Sequence, residues 1–330
     1  MDRDTVGARL RTALAKRIDA PFSIDDLTLL TGGSAAQTWR FVLTREQGKK
    51  EYILRLAHGG EQFELGIDKR MEAKVQAHAV AHGVLAPAII ASLDESDQLG
   101  EGFIMELVRG ETIPQRILRQ DTYASARETL ARQCGTLLAQ IHQVPVAELA
   151  FLPDRSASPQ LASLRSFYED SGETVPVFEY AFHWLERHLP QSRPTTLVHA
   201  DFRNGNLIID ATGVTAILDW ELAHLGDPME DLGWLCVNSW RFGVRDKPVG
   251  GFGSREQLYC GYRAAGGAVD EAGVFFWEVL GVLKWGLICL YQTAVHLRGE
   301  ERSVNRAAIG RRVSETELDL LALLCGAPAA

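Results

Sequence analysis

Leu197-Val-His199-Ala-Asp201-Phe-Arg-Asn-Gly-Asn206 is followed, one short stretch later, by Asp219-Trp220-Glu221. Asp201 and Asn206 stand five residues apart, and Asn206 and Asp219 thirteen. Between them, 207–209 and 214–218 are apolar runs joined through Asp210-Ala-Thr-Gly213, with glycine where a hairpin-type connection needs it. A hairpin of that length returns Asp219 towards Asn206, so a carboxylate, an amide and a second carboxylate can converge. Phosphoryl transfer needs those groups: a carboxylate to orient an attacking hydroxyl and accept its proton, and hard oxygen ligands for Mg²⁺. The match is to the general kinase arrangement rather than a deduction from spacing alone.

The segment HADFRNGNLIID…ILDWELAHLGDPMEDLGWL resembles the aminoglycoside phosphotransferase-like family, relatives of protein kinases and choline kinases. It is especially similar to the branch related to the kinase-like domain fused to some acyl-CoA dehydrogenases. The resemblance covers nearly the whole chain. It implies a protein-kinase-like two-lobed α+β fold, with a small β-rich N-lobe (1–107, nucleotide-binding) and a larger, mostly helical C-lobe (108–330, catalytic and substrate-binding). Carried over by position, Asp201 resembles the catalytic base, Asn206 and Asp219 the Mg²⁺ ligands, and His199 a histidine that buttresses the loop. His199 and Asp231 read more simply as structural residues. Glu221 is open between an auxiliary metal ligand and a surface carboxylate. Ala200 departs from the glycine that many relatives carry.

Further upstream, Thr31-Gly-Gly-Ser-Ala-Ala-Gln37 lies between two predicted strands. In a kinase-like lobe Gly32, Gly33 and Ser34 would let backbone N–H groups approach the phosphates of ATP, although the same residues also suit a plain tight turn. No GxxxxGK[ST] loop occurs, so P-loop chemistry is unsupported. Arg55 ends the strand Glu51-Tyr-Ile-Leu-Arg55, and Glu72 sits on the helix that follows. A cation oriented by a helix carboxylate is expected on the α/β phosphates. Relatives commonly use lysine there, and arginine keeps the charge on a rigid fork. The bland alternative is a surface Arg–Glu pair. Met105, Glu106 and Leu107, within Phe103–Val108, fit a hinge under the nucleotide base, with Met105 equally suited to filling core.

Working outward, 4–18 and 66–82 show helical spacing, while 27–30, 38–43, 52–57, 89–93 and 103–108 read as strands. From about 111 the chain turns helical, over 121–143, 158–170, 176–189, 255–265, 271–297 and 313–325. The apolar stretch 275–291 is interrupted by Glu278 and Lys284 and reads as a buried core helix rather than a membrane span. Net charge is −9, with 13 basic and 16 acidic residues in 1–107 and 21 and 27 beyond, so neither part has the basic excess of a nucleic-acid binder. Five scattered cysteines without CxxC spacing, and a charged N-terminus without an apolar core, fit a cytoplasmic protein.

The acceptor is expected to be a hydroxyl-bearing small molecule. Trp234, Asn238, Trp240, Arg241 and Phe242 could line its cleft, although aromatics at such spacing are more often core. Downstream of the Asp-Trp-Glu segment there is no dense acidic tract, only short pairs such as Glu230-Asp231, which argues against an aminoglycoside polycation. The branch resemblance instead implies a small metabolite such as a hydroxyacyl thioester. Two other readings compete: a catalytically silent kinase-like nucleotide-binding module, and a metal-dependent hydrolase using His199 and Asp201.

Overall fold

The computed structural model describes residues 1–30, 36–57, 66–191 and 194–326. Its N-terminal part comprises α1 (Arg3–Ala15), β1 (Ser23–Leu30), β2 (Ala36–Arg45), β3 (Gly48–Ala57), α2 (Lys69–Ala81), β4 (Ile89–Ser92) and β5 (Gly102–Glu106). The five strands form an antiparallel sheet in the order β1-β2-β3-β5-β4. Side chains alternate across a strand, and β3 shows the consequence. Tyr52, Leu54 and Leu56 pack with Val6, Leu10 and Leu14 of α1. Ile53 packs with Ala73 of α2, Phe103 and Met105. Arg55, in phase with Ile53, therefore turns towards α2 and not towards α1.

The C-terminal part holds α3 (Pro114–Arg119), α4 (Ala124–His142), α5 (Ala157–Ser171), α6 (Pro176–Arg187), β6 (Thr196–Val198), β7 (Leu207–Ile209), β8 (Val214–Ile217), β9 (His224–Gly226), α7 (Met229–Cys236), α8 (Arg255–Ala264), α9 (Glu271–Arg298), α10 (Val304–Gly310) and α11 (Val313–Cys325). The β7–β8 hairpin is where the sequence places it, pairing Leu207 with Ile217. Asp210 Oδ1 accepts the N–H groups of Thr212 (2.7 Å) and Gly213 (3.1 Å), closing the turn.

Several elements escape the sequence reading. Strands β6 and β9 are three residues each, too short for any periodicity; they pair with each other, and Leu225 of β9 also bridges to Asp154. Helices α3, α7 and α10 are six to eight residues long, and α7 is buried on every side, so it carries no amphipathic stripe. Strand β1 begins at Ser23, four residues before the expected start. Helix α2 starts later than expected because Asp68 caps it, accepting the Met71 N–H at 2.7 Å.

Helix α9 has a window of mean hydropathy 1.7, of which 78% is buried inside the fold. It is the central post of the helical lobe, contacting α5, α6, α7, α10 and α11. Glu278 within it is paired with Arg241 (3.2 Å) and Arg255 (2.6 Å).

Helices α4 and α8 cross at glycines. A Cβ on Gly261 would lie 1.9 Å from Arg132 O, and one on Gly135 would lie 2.1 Å from Leu258 O. Gly261→Ala is therefore expected to lower stability by about 1–3 kcal/mol, despite alanine's helix-propensity advantage of about 1 kcal/mol. An unchanged melting temperature would show that the two helices can part without cost.

Candidate active site

Strand β6 leads directly into the loop that carries Asp201. The loop is bent by Ala200 at φ +64°, a left-handed conformation that favours glycine. It is held there by Asp231 in the first turn of α7, whose carboxylate accepts the N–H groups of His199 (2.9 Å) and Ala200 (2.8 Å). Asp231 also accepts from His142 Nε2 at 3.0 Å, and His142 Nδ1 is hydrogen-bonded to the Tyr262 hydroxyl at 2.8 Å. Burial works to raise the Asp231 carboxyl, but the bonds it accepts from His142 and from the His199 N–H hold it below the ordinary range.

His199 is fully buried and joins the two halves of the site. The Asp201 N–H donates to His199 Nδ1 (3.2 Å), so Nε2 carries the ring proton and donates to Leu218 O (3.1 Å). Burial pulls its pKa down, consistent with the neutral ring that this arrangement requires. One imidazole thus ties the backbone of Asp201 to the residue before Asp219. Asp219 itself sits at φ +71°.

Asp201 has three side-chain donors. Oδ1 accepts from Arg203 Nε and from Trp234 Nε1, each at 2.9 Å, and Oδ2 accepts from Asn206 Nδ2 at 2.5 Å. Asn206 Nδ2 also donates to the Asp201 backbone carbonyl at 3.0 Å. With its nitrogen so engaged, Asn206 presents Oδ1 elsewhere, and no donor among the described residues reaches that oxygen. The Leu218 N–H donates to Asn206 O at 2.8 Å, which brings Asp219 beside Asn206.

The lobes meet through charge. Arg55 reaches Glu72 at 3.2 Å, Asp219 at 2.8 Å and Glu221 at 3.8 Å. Lys69 bridges Glu72 (2.6 Å) and Glu221 (2.9 Å) with only 1% of its side chain exposed. The Ile67 N–H donates to Glu221 O at 2.8 Å, adding a backbone tie between the lobes. Burial opposes the charge on Arg55, yet Glu72 and Asp219 hold its pKa above the ordinary value. Burial also works to raise Asp219, but Arg55 keeps its carboxyl below the ordinary range. Glu221 moves up, from burial first and then from Asp219.

Glu72 is fully buried and the Arg55 side chain is 12% exposed, so the surface-pair alternative is excluded. Arg55 Nε and Glu72 Oε1 are buried without a hydrogen-bond partner. A spare guanidinium donor suits an incoming anion such as a phosphate. Among the described residues no group of three or more His, Cys, Asp or Glu side chains is arranged around a metal position. The Asn206 and Asp219 oxygens nevertheless suit Mg²⁺, which takes few protein ligands and keeps waters and phosphate oxygens.

The structure brings Arg55, Glu72, Asp201, Asn206 and Asp219 together. Gly32, Gly33 and Ser34 lie outside the described residues. Met105 is buried among Ile53, Ala73 and Phe103. The Glu106 N–H is already paired with Ala88 O (2.9 Å) and the Leu107 N–H with Glu51 O (3.3 Å), so neither amide is free for a base edge. Lys69, Arg203 and the Trp234 bond to Asp201 were not read from the sequence. Only Trp234 had a signal, as an aromatic close behind the Asp-Trp-Glu segment. Of the other residues in that stretch, Asn238 bonds Asp319 at 2.8 Å and Arg241 pairs with Glu278, so both stabilise helical packing.

The profile of the phosphotransferase enzyme family (APH) matches residues 26–267. Acyl-CoA dehydrogenase family member 10 of Mus musculus is 29% identical over 196 residues, 57% of this chain and 18% of that protein. Family member 11 of Homo sapiens is 28% identical over 200 residues, 57% of this chain and 25% of that protein. The chain thus spans a quarter or less of the length of these relatives. Among solved structures, a candidate aminoglycoside phosphotransferase from Ralstonia eutropha JMP134 has a TM-score of 0.75 at 22% identity, covering 99% of each chain. Aminoglycoside phosphotransferase APH(4)-Ia, solved as a thermostable mutant with AMP-PNP and hygromycin B, has a TM-score of 0.64 at 15% identity over 92% of this chain and 95% of that one. These structures share its two-lobed fold, and the profile match over most of its length places this chain in the phosphotransferase enzyme family.

Proposed function

We propose that this protein transfers the γ-phosphoryl group of ATP to a hydroxyl of a small molecule in a cytoplasmic setting, with residues 1–107 binding the nucleotide and 108–330 supplying catalysis and the acceptor site. Asp201 is the base: its carboxylate orients the acceptor hydroxyl and takes up its proton as the oxygen bonds to phosphorus. Asn206 and Asp219 hold Mg²⁺, which when bound neutralises charge on the phosphates. Arg55, oriented by Glu72, faces the α/β phosphates, and the hinge around Met105, Glu106 and Leu107 lies under the base. Since the Glu106 and Leu107 amides are engaged, the hinge offers other backbone groups and apolar contact. Gly32, Gly33 and Ser34 complete the phosphate cradle.

One observation carries this proposal: Asn206 directs its amide nitrogen to Asp201 at 2.5 Å. That leaves its oxygen for a cation and couples the base to the metal side of the site.

Incubation with ATP, Mg²⁺ and a pooled set of hydroxyl-bearing metabolites is expected to yield a product heavier by one phosphoryl group, abolished by EDTA. Asp219→Ala should weaken the thermal shift produced by Mg²⁺-ATP by at least about tenfold in apparent affinity, the scale of a lost charge-assisted contact of 1.5–3 kcal/mol. Nucleotide binding without transfer to any member of the pool would favour the silent-module reading instead. No thermal shift and no transfer would remove both.

A further inference from the structure

Helix α9 carries a lysine that the chemistry above does not use. Lys284 is 4% exposed, and its Nζ lies 5.0 Å above the Trp234 ring. The same indole donates to Asp201, so the ammonium sits immediately behind the proposed base. Among the described residues, no acceptor lies within hydrogen-bonding or ion-pairing distance of Nζ.

The charged groups facing Lys284 are Glu230, Asp201, Arg155 and Asp231. All three carboxylates already have donors. Asp231 holds two loop amides and His142, and Asp201 holds Arg203, Trp234 and Asn206. Glu230 Oε2 accepts from Gln160 Nε2 (2.7 Å) and His224 Nε2 (3.1 Å). Glu230 and Asp231, the acidic pair that a polycationic acceptor would call on, are thus turned to internal tasks. Burying an ammonium whose facing carboxylates are all bonded to other donors is costly, and an indole face compensates only in part. Burial accordingly depresses the lysine's pKa.

Resting on the phosphotransferase assignment, we propose that the acceptor is itself an anion, and that Lys284, held over the Trp234 ring, binds a carboxylate group of the hydroxyl-bearing substrate beside Asp201. The anion completes the ammonium's hydrogen bonding and, being tied to α9, sets the distance of the hydroxyl from the base. This selects against aminoalcohols and polyamines, whose cations would face Lys284 directly.

The test compares thermal shifts, in the presence of Mg²⁺ and a non-hydrolysable ATP analogue, for matched probes. These are glycolate, lactate, 3-hydroxybutyrate and 3-hydroxybenzoate, each beside its amide, with the aminoalcohol choline as a cationic control. At least one carboxylate should stabilise the wild type with at least tenfold higher apparent affinity than its amide. Lys284→Met, similar in volume, should abolish that difference, and Lys284→Arg should restore part of it.

The proposal is overturned if no carboxylate outperforms its amide on the wild type, or if the preference survives in Lys284→Met. The wild-type comparison decides the matter even if the methionine variant does not fold. The nucleotide analogue's own shift, read on the same plates, separates the two ideas. Its absence from the wild type counts against the phosphotransferase assignment, whereas its presence without carboxylate preference counts only against the anion site.

Discussion

Asp201→Asn is expected to lower turnover by roughly 10²–10⁴-fold, the usual contribution of a positioned general base, while Mg²⁺-ATP binding stays within a few-fold of wild type. Asparagine keeps the volume and one acceptor oxygen, so Trp234 and Arg203 retain their partner. What disappears is the negative charge, and with it the capacity to take a proton. The new amide would also face the Asn206 nitrogen, donor against donor, across a contact of 2.5 Å. Asp201→Ala, which removes that conflict, therefore belongs in the same experiment. Both variants should show the loss in kcat with little change in the nucleotide's thermal shift. Wild-type turnover in either would refute the assignment of Asp201 as base.

Asp231→Ala is expected to cost about 3–5 kcal/mol of stability, the range for removing one partner of a buried charged pair. Three donors lose their acceptor at once: the N–H groups of His199 and Ala200 and the Nε2 of His142. All lie in the interior, where water cannot replace the carboxylate. A native stability of 5–15 kcal/mol makes such a loss a large share of the total. Denaturant titration should show a clear fall in midpoint. A loss under about 1 kcal/mol would mean that the loop holds its left-handed bend without the anchor, contrary to the usual cost of unpaired buried amides.

The anchor also sets a pH dependence. The Asp231 carboxyl is depressed in the folded protein, so its contribution is fully present above the ordinary carboxylate range and is lost as pH falls through the lower folded value. His199 acts in the same direction. Its folded pKa lies below the ordinary 6.5, so protons bind the unfolded chain more readily as pH drops through that value. Wild-type stability should accordingly decline on acidification, and the Asp231→Ala curve should be flatter at the acid end.

Much of the fold was legible because its signals are local. Apolar spacing marked α4, α8 and α9, alternation marked β2 and β3, and an Asp-to-Gly turn marked the β7–β8 hairpin. That hairpin returns Asp219 to the side of Asn206, whereas the grouping with Asp201 rested on the match to the kinase arrangement. What failed did so for want of length or contrast. Three-residue strands have no period, and a helix such as α7, buried all round, has no polar face to reveal it.

Residue order by itself determined the succession of a strand-rich part and a helical part and the return of Asp219 towards Asn206, because turns and periodic faces are written in neighbouring residues. The two-lobed fold and the grouping with Asp201 came with the family resemblance. Only the tertiary structure decided how those groups are held. Arg55 meets Asp219 across 164 positions and Lys69 meets Glu221 across 152. The Trp234 indole of α7 reaches Asp201, and Lys284 is buried behind that ring with no ion pair among the described residues. Such contacts leave no local trace, since a buried charge is specified by what the folded chain packs around it.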